Sequence, residues 1–139
     1  NVFASQGSAI NLFLDKINNN QNIEITNKKV ERYFMSTKEA CGLVIQASQL
    51  TSSSKTYILD MGQPVKIYDL VKKMVLLKKV KDKNFSINIV ETGLGKGEKI
   101  KEILSINKKR KKTKIKNILE TKELQYNKNE INLLVEDLN

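Results

Sequence analysis

A glycine-rich turn is the segment of this sequence whose residue types and spacing most clearly permit chemistry. Glycines recur at alternate positions in the run Gly93–Gly97, which follows a predicted strand and precedes a predicted helix. Glycine lets the backbone approach a ligand closely, and a helix N-terminus favours anions. Lys96 and Lys99 add positive charge. The pattern alone favours an ordinary strand-to-helix turn, and a phosphate-binding loop is the alternative that it leaves open.

Sharper nucleotide-binding and catalytic motifs are not met. Gly93–Gly97 is not Gly-x-Gly-x-x-Gly, no βαβ unit surrounds it, and it lacks the Gly-Lys-Ser/Thr ending of a Walker loop. Tyr68 and Lys72 have the Tyr-x-x-x-Lys spacing with which short-chain dehydrogenases move a proton near neutral pH. Because no cofactor loop precedes this pair, we interpret it as a chance pair on an exposed helix face.

Two further features concern positive charge. Arg32 precedes two aromatic residues and is either a structural ion-pair partner or a phosphate clamp. The run Lys108–Lys112 could neutralise nucleic-acid phosphates or lie on an anionic membrane. No aromatic residues for base stacking interleave with the run, so we interpret it as a solvated basic loop.

The amino-acid composition limits the classes of protein to which the chain can belong. The 139 residues carry a formal net charge of +10, with 40% hydrophobic and 29% charged residues, which is typical of one soluble globular domain. No segment approaches the roughly 20 apolar residues that span a bilayer. The absence of histidine and the presence of one cysteine argue against a zinc or copper site. Cys41 lies in an apolar helical pattern and is predicted to be buried.

The elements that must position these residues follow from hydrophobic periodicity. Helices are predicted from Ser8 to Asn19, from Ser36, from about Ile67, after Gly97, and from Asn127. Short strands are predicted at 23–26, 33–35, 57–59, 86–91 and 115–119, with 57–59 in the interior of a sheet. The helix from Ser36 should bury Ala40, Leu43, Val44 and Ala47. These strands are too few and too short for a full parallel sheet. The pattern therefore predicts an α/β lobe, α+β-like in isolation, that packs on a larger domain and exposes an apolar face for it.

An ordered set of stretches carries a family resemblance. It comprises Asn1–Val2, Ser5–Ile10, Arg32–Ser36, Leu59–Ile67, Glu91–Leu94 and Gly97–Lys99. In order and spacing the set resembles the C-terminal part of the CapD-like polysaccharide-biosynthesis proteins. These are nucleotide-sugar 4,6-dehydratases of the extended short-chain dehydrogenase/reductase superfamily. The resemblance implies that the chain is their C-terminal substrate-binding lobe, with the Rossmann core largely missing.

The resemblance implies substrate contacts for several residues near the start of the chain. Asn1 matches an asparagine that contacts the sugar or the diphosphate. Ser8 matches the serine that opens a helix over the nucleotide. Ile25 and Thr26 match a strand whose backbone lies near the uracil.

It implies three more substrate contacts and no catalytic residue. Arg32 matches an arginine that reaches the diphosphate, and Glu98 matches an acidic residue near the ribose. The family usually has an arginine where this chain has Gly95, and Lys96 is expected to supply that positive charge. Binding of one diphosphate requires Arg32 and the turn to lie close together.

The resemblance also implies a two-part enzyme. An N-terminal Rossmann domain holds NAD or NADP and the proton-transfer residues, and the C-terminal lobe holds a UDP-sugar, usually UDP-N-acetylglucosamine. C4 of the sugar is oxidised, water is eliminated across C5 and C6, and hydride returns to C6. We therefore expect this chain to bind a UDP-sugar, to hold no cofactor or metal itself, to lack turnover alone, and to pack against the missing N-terminal domain.

Some alternatives stay open at this point. Residues 1–105 are expected to form the nucleotide-sugar-binding lobe, and residues 106–139 a basic loop and C-terminal helix of the same lobe. A cytoplasmic location is expected. A membrane anchor through a segment outside this chain and homo-oligomerisation are left open, and no specific nucleic acid partner is expected. The alternative functions are an epimerase or reductase of the same superfamily, or a basic non-enzymatic module that binds nucleic acid or membranes.

Overall fold

This computed structural model describes residues 2, 3, 5, 7–50, 55–104 and 110–121. Three helices and seven short strands lie within these residues. The helices are α1 (Ala9–Asn18), α2 (Thr37–Ser48) and α3 (Ile67–Lys81). The strands are β1 (Ile23–Ile25), β2 (Glu31–Arg32), β3 (Thr56–Leu59), β4 (Val65–Lys66), β5 (Ile89–Glu91), β6 (Arg110–Lys112) and β7 (Ile118–Thr121). This mixture confirms the predicted α/β class. No helix in these ranges combines the length and the apolarity needed to cross a bilayer.

Serine caps begin the first two helices where the sequence predicts them. The Ser8 hydroxyl accepts the Asn11 amide at 3.4 Å, and the Ser36 hydroxyl accepts the Glu39 amide at 3.2 Å. The Ser36 bond satisfies an amide that has no acceptor inside the helix, a contribution of about 1 kcal/mol. The Asn11 amide also donates to the Ser8 carbonyl, at 3.0 Å. Periodic apolar residues then bury one face of α1 against the core.

Helix α2 buries a narrower face than the sequence predicts. Leu43 is buried, and Ala40 and Ala47 pack beside it, but Val44 is exposed. Cys41, also predicted to be buried, is exposed. Both predictions are wrong because α2 covers a small sheet along a single line of contacts. A helix buried over a wider arc would also have covered its neighbouring positions.

Two apolar clusters hold the fold together. The first packs α1, β1 and α3 around six buried residues: Phe13, Ile17, Ile23, Ile25, Val71 and Phe85. The second packs α2 on the β3 and β7 strands around Met35, Leu43 and Ile118. The first cluster fixes the end of β1, which leads directly into the candidate site.

The strands form three small sheets. β1 pairs with β5 in parallel, with Ile23 opposite Ile89, and β2 pairs with β4 antiparallel. β3, β7 and β6 form an antiparallel sheet in that order. β3 is therefore an edge strand in the described sheet, and the prediction of an interior strand at 57–59 is wrong. The apolar residues of β3 pack against α2 on one face of the sheet.

Other sequence predictions have mixed outcomes. The extended stretch predicted at 33–35 lies two residues early, at β2, and Met35 makes only an isolated bridge to Val2. The described part of the basic run is strand β6, whose three residues are exposed. Lys108, Lys109 and the helix predicted from Asn127 lie outside the described residues.

An ion pair joins β3 to β7. Lys55 donates to Glu120 at 3.0 Å, and this contact raises the pKa of Lys55.

Gly42 offers a test of how helix α2 is stabilised. It is half-buried in the interior of α2, and an added Cβ would meet no atom within 4 Å. We expect Gly42→Ala to raise the free energy of unfolding by about 0.5–1 kcal/mol, because alanine has less backbone entropy to lose in a helix. Urea denaturation measures the change.

Gly62 is the matched control for this substitution. An added Cβ there also meets no atom within 4 Å, but the backbone has a φ of +69°. Gly62→Ala should therefore lower stability by about 1–2 kcal/mol, since L-residues are disfavoured in that region. A destabilised Gly42→Ala protein would contradict the structure of α2.

Candidate functional site

A cavity of about 500 Å³ lies where the N-terminus of α1 meets the end of β1 and the glycine-rich turn. Its walls include five of the seven residues proposed from the sequence: Ser8, Ile25, Thr26, Arg32 and Glu98. Lys96 is exposed on the turn and is not part of the lining. Asn1 lies outside the described residues. Residues that are far apart in the sequence are thus gathered around one cavity.

Arg32 is held from several sides at the end of β2. Its Nη1 donates to the backbone oxygens of Glu31 at 2.9 Å and Lys99 at 2.7 Å. Its Nη2 lies 3.5 Å from Glu98 and its Nε lies 3.8 Å from Glu102. Charge-assisted hydrogen bonds are typically about 2.7–2.9 Å, so the two carboxylate contacts are long. The guanidinium is thus fixed by carbonyls at Nη1 and engaged more loosely at Nη2 and Nε.

Glu98 ties the glycine-rich turn to the rest of the cavity wall. Its Oε1 accepts the Thr26 hydroxyl at 2.7 Å and lies near Arg32, and its Oε2 accepts the Gly95 amide at 3.3 Å. The requirement that Arg32 and the turn lie close together is met. One carboxylate therefore positions an arginine, a threonine hydroxyl and a backbone amide together.

The helix predicted after Gly97 does not form, and this prediction is wrong. Residues 98–104 are irregular in the structure. Gly97 adopts a φ of +84°, and the carbonyl of Ile100 accepts the Glu31 amide at 2.8 Å. Arg32 binds the Lys99 carbonyl as well. Partners on β2 thus take the carbonyls that a helix would have used.

A different helix supplies the anion-favouring end at this site. Gly7, Ser8 and Ala9, at the start of α1, line the cavity. The first turn of α1 has no acidic residue, and the amides of Ala9 and Ile10 have no acceptor among the described residues. A helix N-terminus with free amides favours anions. The serine cap before an apolar periodicity was the signal that could have identified this end.

Apolar side chains complete the cavity. Phe13, Val30, Phe34 and Ile67 contribute to the lining, and the Phe34 ring contacts that of Phe3 edge-on at 6.0 Å between centroids. Sequence reasoning assigned none of these to the site. A largely apolar wall with a few placed polar groups is typical of a pocket for an organic ligand.

The strand residues contribute unequally to the site. Ile25 is buried in the first core, and its carbonyl already accepts the Thr92 amide at 2.9 Å. Thr26 is the next residue, beyond the end of β1, and offers its hydroxyl to Glu98. Ile25 therefore mainly anchors the strand, while Thr26 brings a polar side chain to the cavity.

The pair with dehydrogenase spacing lies elsewhere. Tyr68 is half-buried against the first core, and Lys72 is exposed. The Lys72 ammonium lies 5.5 Å from the centroid of the Tyr68 ring, and Lys28 lies 5.6 Å from the same ring. Neither member of the pair lines the cavity.

The bond between Thr26 and Glu98 should be measurable as a coupling energy. Thr26→Val removes the hydroxyl at nearly constant volume, and Glu98→Ala removes the acceptor. We expect each single variant to lose about 1–2 kcal/mol of stability and the double variant to lose less than their sum by about 0.5–1.5 kcal/mol. Urea denaturation of the four proteins gives the coupling, and strictly additive losses would contradict the 2.7 Å contact.

Comparison with protein families places this site in context. Residues 1–123 match a family model described as "Polysaccharide biosynthesis protein". The chain is 37% identical over 139 residues to the capsular polysaccharide biosynthesis protein CapD of Staphylococcus aureus, covering 99% of this chain and 23% of CapD. It is 40% identical over 104 residues to the probable polysaccharide biosynthesis protein EpsC of Bacillus subtilis (strain 168), covering 75% of this chain and 17% of EpsC.

A solved structure also resembles the fold. The X-ray structure of Pen from Bacillus thuringiensis superposes with a TM-score of 0.73 and 29% sequence identity, covering 86% of this chain and 37% of that chain. The chain therefore spans less than a quarter of the two curated relatives and about a third of this structural neighbour.

Proposed function

Because the chain belongs to the polysaccharide biosynthesis protein family, we propose that its cavity binds the UDP-sugar substrate of a nucleotide-sugar 4,6-dehydratase. The observation that carries this proposal is the meeting of a guanidinium, a helix N-terminus and an acidic side chain around one cavity of about 500 Å³. A diphosphate needs the first two, and ribose hydroxyls suit the third. The volume lies within the usual range of ligand pockets, about 300–1,000 Å³.

Each part of the proposed substrate has a matching group. The diphosphate lies against the amides at the start of α1 and the loosely engaged Nη2 and Nε of Arg32. The ribose lies near Glu98, whose carboxylate can accept its hydroxyls while it stays bonded to Thr26. The uracil lies against the apolar wall that includes Phe34. Lys96 lies outside the lining and contributes at most long-range attraction to the diphosphate.

The proposal gives the described residues binding and orienting roles, with no catalytic step. They do not fit a dinucleotide, since irregular backbone follows Gly93–Gly97 where a phosphate-binding βα turn would have a helix. NAD or NADP, which would supply the hydride chemistry, is therefore assigned to an N-terminal Rossmann domain of the whole enzyme. The described residues hold the sugar nucleotide so that its sugar faces that domain.

The names of the relatives support the pathway assignment. CapD is described as a capsular polysaccharide biosynthesis protein, and EpsC as a probable polysaccharide biosynthesis protein. We propose in addition that the whole enzyme dehydrates UDP-N-acetylglucosamine at C4 and C6. Its proposed location is the cytoplasm, and the proposed partner of this chain is a Rossmann domain. An epimerase or reductase reaction would place the same demands on these binding residues.

Calorimetric titration tests the proposed function. We expect saturable one-to-one binding of UDP-N-acetylglucosamine, competed by UDP and not by free N-acetylglucosamine. A random DNA duplex is titrated in parallel at two salt concentrations, because phosphate-driven binding falls steeply with salt. Salt-dependent duplex binding without any UDP effect would refute the proposal and favour a nucleic-acid-binding module.

A further inference from the structure

Helix α3 has an apolar strip on the side away from the core. Leu76, Leu77 and Val80 have 61%, 67% and 73% of their surface exposed. Their spacing places them on one side of a helix, opposite the fully buried Val71. Exposed apolar clusters of this kind mark interaction surfaces rather than chance exposure.

Lysines surround this strip. Residues 66–83 contain seven lysines and two aspartates. The exposed members next to the strip are Lys72, Lys73, Lys79, Lys81 and Lys83, and no ion pair joins any of them to a carboxylate in the described part of the chain. Their positive charge is therefore not neutralised within this surface. We call the strip and these five lysines the lysine–leucine face.

A groove continues the lysine–leucine face toward β5. It has a volume of about 490 Å³. Its apolar floor comprises Val75, Leu76, Ile87 and Ile89, and its rim comprises Asp69, Lys72, Lys73 and Lys79. Three lysines and one aspartate thus line the groove together with its apolar residues. Such a groove suits a molecule with an anionic head and a hydrocarbon tail.

We propose that the lysine–leucine face binds the surface of an anionic phospholipid bilayer. Leu76, Leu77 and Val80 enter the boundary between head groups and acyl chains, and the lysines contact lipid phosphates. Apolar residues flanked by lysines are the pattern of helices that lie in the membrane interface. Five lysines without a carboxylate partner favour a partner surface that is uniformly anionic. The surface is separate from the UDP-sugar cavity, so this proposal stands apart from that one.

Vesicle sedimentation tests the apolar part of the proposal. The chain should bind vesicles of phosphatidylcholine mixed with phosphatidylglycerol, and should not bind phosphatidylcholine alone. Leu76→Ser with Val80→Ser should lower the partition coefficient on the order of tenfold or more. The matched control is Val44→Ser with Ile45→Ser on α2, which removes similarly exposed apolar groups and should change binding less than about twofold.

Charge reversal tests the electrostatic part. Lys72→Glu with Lys79→Glu should reduce binding about tenfold or more, because each lysine near an anionic surface contributes about fivefold. Lys111→Glu with Lys112→Glu on β6 makes the same change in net charge and should reduce binding much less.

Three results would overturn the proposal. The first is absence of binding to phosphatidylglycerol vesicles. The second is a loss of vesicle binding in the β6 control as large as that in Lys72→Glu with Lys79→Glu. The third is association of one chain with another that the Leu76 and Val80 changes abolish, without any vesicle binding. The last result would identify a protein interface. Circular dichroism confirms that each variant is folded.

Discussion

Arg32→Ala should weaken UDP-sugar binding by at least roughly a hundredfold, the largest loss expected from any single change in the cavity. The Arg32 side chain is only 19% exposed, and its guanidinium is positioned by the Glu31 and Lys99 carbonyls. Binding of the proposed diphosphate at Nη2 and Nε would therefore cost little further side-chain entropy. Hydrogen bonds to charged groups contribute about 1.5–3 kcal/mol each, and two of them would be lost. Calorimetry with UDP-N-acetylglucosamine measures the change.

Two matched variants separate geometry from charge. Arg32→Lys keeps the positive charge but loses the planar fork, so it should recover only a small part of the affinity. Lys96→Ala removes a positive charge from the nearby turn outside the cavity lining and should weaken binding less than about threefold. Equal losses from Arg32→Ala and Lys96→Ala would show that the interaction is diffuse attraction. The proposed diphosphate contact would then be wrong.

Ile23→Ala should destabilise the chain by about 2–5 kcal/mol. Ile23 is fully buried in the first core, where α1, β1 and α3 meet. Removing its branched end leaves a cavity that tightly packed neighbours cannot fill. The end of β1 carries Thr26 to the site, so binding should weaken at temperatures where the variant begins to unfold. Urea denaturation with a fluorescence or circular dichroism signal measures the stability.

Ile45 provides the matched control for this substitution. It is 63% exposed on α2, so Ile45→Ala removes the same atoms from a side chain that is largely in water. We expect its effect on stability to lie within about 0.5 kcal/mol. Similar losses for the two variants would contradict the burial that defines the first core.

Local signals in the sequence predict the features of the fold that depend on neighbouring residues. Ser8 and Ser36 cap the helices that their positions indicate, and the apolar spacing of α1 identifies its buried face. These succeed because a cap and a helical stripe need only a few adjacent residues. The resemblance then identified Arg32 and Glu98, and the structure places them at the same cavity.

The failures of sequence reasoning arise where distant residues decide the structure. Residues after Gly97 have a helical apolar pattern, but Arg32 and Glu31 take their carbonyls. Val44 fits the buried stripe of α2, but α2 contacts its sheet along too narrow a line to cover it. The apolar wall of the cavity joins Phe13, Phe34 and Ile67, which lie far apart in the sequence. No short window of sequence contains these partners.

Amide chemical shifts of the chain during titration with UDP-N-acetylglucosamine test the central claim most directly. The account predicts saturable shifts grouped at the start of α1, at Thr26 and at Gly95, all of which adjoin the cavity or bond to Glu98. They should fit a single dissociation constant. Shifts confined to Arg110–Lys112, or no saturable shifts around the cavity, would contradict it.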